Sequence, residues 1–197
     1  MTDLRRVDPD VTGPPVTSYE AIRFIQQGYF QGTLYALLLV VLVIAALLRS
    51  ARATALALVP IALAMLWTLG FMRVLDLQFN LANVWALPLI IGTAAEFGVN
   101  VFIRYQEGLD TGGPTLVQST MLAIFLNGVT TIAGFASLMV AHHRGIFGLG
   151  LLLTVGVSAA LVAALVVLPV LLRFFYGPAA PDAPPASEPV SPERVTV

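Results

Sequence analysis

Leu81-Ala82-Asn83-Val84-Trp85-Ala86-Leu87-Pro88-Leu89-Ile90-Ile91-Gly92-Thr93-Ala94-Ala95-Glu96-Phe97-Gly98-Val99-Asn100-Val101-Phe102-Ile103 is the stretch that decides the fold. It is an apolar run near the length of about 20 helical residues that a bilayer's hydrocarbon core requires. One acid interrupts it. Glu96 is the sole acidic residue inside any long apolar run of the chain. Every other charge between Leu34 and Arg173 (Arg49, Arg52, Arg73, Asp76, Arg104, Glu107, Asp110, Arg144 and Arg173 itself) falls at a run's edge or in a connector. A carboxyl at mid-bilayer depth costs roughly 2.5–3.5 kcal/mol on insertion scales, so such a residue marks a functional site.

The rest of the composition agrees. Of the 197 residues 58% are hydrophobic and 11% are charged, whereas a globular domain carries about 25% charged residues. No single core would hide so much apolar surface, so the chain reads as an integral membrane protein. A net charge of -1 leaves no footprint for nucleic acid. The absence of cysteine excludes disulfides, thiolate catalysis and zinc-thiolate sites.

Outward from Glu96, five apolar runs predict an all-α, polytopic helix bundle with spans near Leu34–Leu48, Ala53–Met72, Leu81–Ile103, Leu116–Ala141 and Ile146–Phe174. Short connectors favour antiparallel neighbours. Residues 1–17 are polar and proline-rich. Thr17-Ser18-Tyr19-Glu20 fits a capping box. Residues 18–33, with Ile22, Ile25 and Tyr29 at helical spacing, predict an amphipathic helix lying at the interface and leading into the first span. The bundle then occupies 34–176, and 177–197 read as a disordered tail. Arg49, Arg52, Arg104 and Arg173 fall on one side of the membrane, against Arg73 and Arg144 on the other. Positive-inside weighting places the first group in the cytoplasm.

On the third span Gly92, Glu96 and Asn100 recur every four residues and share a face. Asn100 is placed to hydrogen-bond the carboxyl, and Gly92 to admit a neighbouring helix. On the fourth span Thr120, Asn127, Thr131 and Gly134 form a second stripe, with Thr130 and Ser137 at its edge. The two stripes are expected to face one another and to bury Glu96, which makes it a group for loading and releasing a proton. The bland alternative is a permanently protonated packing residue among polar groups that hold helices together at about 0.6 kcal/mol per contact. For Glu96 function is the better reading. For Asn100 and Thr131 the two readings stand level; for Thr120, Asn127, Thr130 and Ser137 structural glue is favoured. Gly156, Ala160 and Ala164 on the last span form a small-residue ridge for close packing, and Pro60, Pro88 and Pro169 are expected to kink their spans. His142 and His143 are adjacent and point apart on a helix, so no metal site is assigned. No HExxH, GxSxG or P-loop pattern occurs, so neither an enzyme nor a bound cofactor is expected.

The run Pro88-Leu89-Ile90-Ile91-Gly92-Thr93-Ala94-Ala95-Glu96-Phe97-Gly98-Val99-Asn100, ending in Arg104-Tyr105-Gln106-Glu107, resembles the tenth transmembrane helix of RND-superfamily exporters of the MMPL branch. Glu96-Phe97 stands where that branch has an Asp-Tyr pair, a departure most similar to its hopanoid-transporter members. Thr130-Thr131-Ile132-Ala133-Gly134-Phe135-Ala136-Ser137-Leu138 resembles the eleventh helix, and Leu168-Pro169-Val170-Leu171-Leu172 the end of the twelfth. Residues 1–17 resemble the exit of the second periplasmic domain.

The resemblance implies that the five spans are helices eight to twelve of twelve, in a bacterial inner membrane. It implies a proton relay at Glu96, to which the polar stripes add Asn100 and Thr131 as candidates, driven by the proton-motive force, with hopanoid-like membrane lipids as cargo. It also implies a missing N-terminal half that carries the partner carboxylate, and allows a homo-oligomer. A truncated reading frame, a split gene, a stand-alone lipid-binding or assembly subunit, and an inert fragment all remain open at this point.

Overall fold

The computed structural model describes residues 14–77, 80, 82–111 and 118–177. Most of the expected periplasmic exit at 1–17, and the tail 177–197 beyond Gly177, lie outside them. The described residues form helices throughout, and five are long and apolar enough to cross a membrane: Arg23–Leu48, Ala51–Val74, Asn83–Asp110, Ser119–Val140 and Arg144–Tyr176.

The first span is continuous with the segment that leads into it. Helix α1 runs unbroken over Pro14–Leu48, 35 residues, or about 52 Å at 1.5 Å per residue. The segment 18–33 is therefore the leading part of the first span's own helix. Thr17 lies inside α1, so Thr17–Glu20 is not its start. Two prolines precede it at 14 and 15, and a proline's fixed φ suits the first turn, where its missing N–H would have had no partner. The Tyr29 ring meets Trp85 edge-on at a centroid distance of 4.3 Å, tying α1 to the start of the third span.

Proline chemistry sets the interruptions. The second span is α2 (Ala51–Ala57) and α3 (Val59–Val74), broken at Leu58, two residues before Pro60. Pro60 has no N–H to donate, and its ring collides with the carbonyl four residues back. The fifth span is α6 (Arg144–Val162), a π-helical turn at Ala163–Val167, and α7 (Leu168–Tyr176) with Pro169 in its first turn. The wider turn gives the ring room. Pro88, in contrast, sits in the first turn of α4 (Ala86–Thr111), where an absent N–H breaks nothing.

The third span begins with a reciprocal cap. Asn80 Oδ1 accepts from the Ala82 and Asn83 N–H groups, both at 2.9 Å, and Asn83 Oδ1 accepts from Asn80 N–H at 2.7 Å. A 3-10 turn over Asn83–Trp85 leads into α4. The fourth span is α5 (Gln118–Ser137) with a closing 3-10 turn, Leu138–Val140. His143 then caps α6, its Nδ1 accepting from Gly145 N–H at 3.2 Å.

Helix α6 is the spine, packed against α3, α4 and α5. Its small residues allow this. A Cβ at Gly156 would overlap the Ile90 side chain and lie 3.0 Å from Thr68 Oγ1, so α3 and α4 both close on that glycine. A Cβ at Gly98 would overlap the Ala57 carbonyl and sit 3.3 Å from Pro60 Cγ, so α4 meets the second span at its break. Only 6% of the most apolar window of the first span and 11% of that of the fourth are buried, against 44% and 56% for the third and fifth. The bundle therefore has a packed centre and two flanks open to whatever surrounds them.

Candidate functional site

Helix α4 is two-faced. Ile90, Ala94, Phe97, Val101 and Tyr105 point into the core, each no more than 1% exposed. Successive residues on a helix point about 100° apart, so Glu96 and Asn100 fall on the other side and are exposed, as is Gly92. Phe97 is a core residue here and does not share the carboxyl's surroundings.

Glu96 lies at the midpoint of the span Asn83–Asp110. Its partner comes from α5: Asn127 Nδ2 donates to Glu96 Oε1 at 3.0 Å. Asn100, expected to fill that role, makes no hydrogen bond to the carboxyl among the described residues. Thr131 instead donates to the Asn127 carbonyl at 2.9 Å, Thr130 to the Leu126 carbonyl at 2.8 Å, and Ser137 to the Gly134 carbonyl at 2.6 Å. Thr131 thus belongs to the site at one remove, bonded to the backbone of the residue that holds Glu96.

One expectation is corrected: among the described residues the stripes of α4 and α5 do not bury Glu96 between them. The helices touch sparingly, because α6 lies behind both and packs far more extensively on each, and the stripes end side by side on one open face. Gly92 and Gly134 lie on that face, and a Cβ at either would meet nothing within 4 Å among the described residues. Among the described residues, helices approach closely at Gly156 and at Gly98.

At the end of the span the Arg104 guanidinium pairs with Glu107 at 2.8 Å, both side chains more than half exposed, so the pair adds little stability. Tyr105 is fully buried, and its hydroxyl donates to the Gly177 carbonyl at 2.7 Å. With the edge-on contact of Phe102 and Tyr176 at 6.1 Å, it fastens the end of α7 to α4. Gly177 takes φ 87, a conformation glycine adopts freely. Among the described residues no three His, Asp or Glu side chains gather as metal ligands.

Five apolar spans around a small-residue spine, with one carboxyl at mid-span on an open face, define a multi-pass helical membrane protein. The chain belongs to the MMPL family, whose model matches residues 3–188. It is 34% identical over 168 residues to the hopanoid transporter HpnN of Rhodopseudomonas palustris, covering 85% of this chain and 19% of that protein. The hopanoid transporter HpnN of Burkholderia multivorans is 28% identical over 171 residues, covering 87% and 19%. A membrane protein of Methanocaldococcus jannaschii is 26% identical over 172 residues, covering 84% and 44%. The chain thus spans about one fifth of the length of the hopanoid transporters it matches. No solved structure matches it.

Proposed function

We propose that this chain is the C-terminal membrane portion of a proton-driven RND-type lipid exporter in a bacterial inner membrane, with a hopanoid or related lipid as cargo. The observation that carries the reading is the Glu96 carboxyl at mid-span, hydrogen-bonded to Asn127 on a face this chain leaves open. The amide suits either protonation state. It donates through nitrogen to the carboxylate and, rotated, accepts through oxygen from the acid. Proton binding and release therefore need not break the link between α4 and α5.

In this reading a second membrane half covers the open face and supplies a further carboxylate opposite Glu96. Protonation from one side and release to the other bias the rocking of the two halves. The membrane potential contributes about 2.3 kcal/mol per charge per 100 mV. The lipid identity rests on the similarity to the hopanoid transporters. The test is Glu96→Gln in the assembled transporter. Lipid export should fall to background while membrane insertion and expression are kept, and export at the parent rate refutes the relay.

A second reading is a stand-alone lipid-binding or assembly subunit. It is favoured only by the open, largely apolar flanks of α1 and α5. Loss of export on Glu96→Gln would eliminate it.

A further inference from the structure

A cleft of about 860 Å³ lies between the start of the second span and the end of the fifth, far in sequence from the Glu96 site. Ser50 and Arg52 line its polar end, and Ala55, Leu56, Val59, Leu171 and Phe175 its walls. We propose that it is a binding site for an anionic phospholipid, with the headgroup phosphate on Arg52 and Ser50 and the chains descending along Leu56, Val59 and Leu171.

Three observations carry this. The first is charge. Arg52 lines the cleft and Arg49 stands three residues before it, both exposed. Among the described residues neither guanidinium has a carboxylate partner; the ion pair at this end joins Arg104 to Glu107. A guanidinium offers a fork of N–H donors that fits a phosphate in two-point fashion. The second is the hydroxyl. Ser50 Oγ accepts from Ala53 N–H at 3.5 Å, which uses a lone pair and leaves the O–H hydrogen for an acceptor in the cleft.

The third is the grading of polarity along the cleft. From Ser50 to Val59 the second span descends about 13 Å at 1.5 Å per residue. Polar side chains stand at the mouth and aliphatic ones below. Phe175 and Tyr176 flank the edge, at the depth where aromatic rings favour the bilayer interface. A free phosphate would use the mouth and leave the aliphatic walls idle. A neutral lipid would leave the guanidinium without its counter-charge. An anionic phospholipid satisfies both, and basic recesses between spans are known headgroup sites.

The experiment uses the full chain in phosphatidylcholine bilayers carrying spin-labelled lipids at trace level. The motionally restricted fraction reports preference for phosphatidylglycerol over phosphatidylcholine. Each arginine near the surface is expected to contribute about fivefold, so a preference of fivefold or more is predicted for the parent chain. Arg49→Gln with Arg52→Gln should bring it near unity, and Arg144→Gln at the opposite end should leave it. Ala55→Trp, an exposed position in the cleft wall, should abolish it with the arginines intact. Equal association of the two lipids overturns the proposal, as does a preference that survives Arg49→Gln with Arg52→Gln. A preference untouched by Ala55→Trp shows diffuse attraction without a site. Full displacement of the lipid by millimolar inorganic phosphate shows a free-anion site instead.

Discussion

Asn127 Nδ2 and Glu96 Oε1, 3.0 Å apart, join α5 to α4 at the middle of the membrane-spanning region, where the two helices otherwise meet little. The link is polar, exposed on the open face and set away from the packed spine. A bond placed there contributes little to holding the bundle together.

That contrast separates a relay from glue. Interhelical hydrogen bonds in membranes average about 0.6 kcal/mol, so Asn127→Leu should lower unfolding stability in detergent by about that amount. On the proposed reading, the same substitution in the assembled transporter should cut export at least tenfold, since the carboxyl loses the group that positions it in both protonation states. A loss of stability of several kcal/mol, or export that tracks stability alone, would reduce Asn127 to a packing residue.

The glycines sort by what surrounds them. Gly156→Val would drive a side chain into Ile90 and toward Thr68, and overpacking of this kind costs about 1–3 kcal/mol. Gly92→Ala and Gly134→Ala meet open space, and replacing a mid-helix glycine gains up to about 1 kcal/mol in helix propensity. Denaturant titration of the single chain should therefore show opposite signs at Gly156 and at the other two. If Gly92→Ala then impairs export in the assembled transporter, a partner helix packs at that position.

The Tyr105 hydroxyl is the tether between α4 and the last turn of α7. Tyr105→Phe keeps the buried ring and removes one hydrogen bond, worth about 0.5–1.5 kcal/mol. Amide hydrogen exchange over Arg173–Gly177 should quicken, with the centre of α6 unchanged. Uniform quickening along the chain would mean that Tyr105 supports the whole bundle and not its end.

The five spans and the anomaly of Glu96 were legible because both are written in local composition: long apolar runs, and one acid inside one of them. The partner was not. Asn100 and Asn127 are the same residue type at similar depth, and spacing along one helix favoured Asn100. The choice of Asn127 depends on how α5 is rotated and on α6 lying behind both helices, which are tertiary facts. The open face was hidden for the same reason, since helical periodicity shows that a stripe is polar but not whether a neighbour covers it.

The chain contains no cysteine, so single-cysteine variants report the face of α4 without background. Asn100 is exposed, while its neighbour Val101 is fully buried. Maleimides react with the thiolate, which needs water to form. A membrane-permeant maleimide should label Asn100→Cys readily if water reaches the Glu96 face, and should leave Val101→Cys unmodified. A face turned to lipid gives the opposite result at Asn100, because a thiol in hydrocarbon stays protonated and inert. Labelling at Asn100 that slows when Glu96→Gln is introduced would tie the hydration of this face to the carboxyl itself. Equal labelling at Asn100 and Val101 would contradict the two-faced packing of α4, on which the whole site depends.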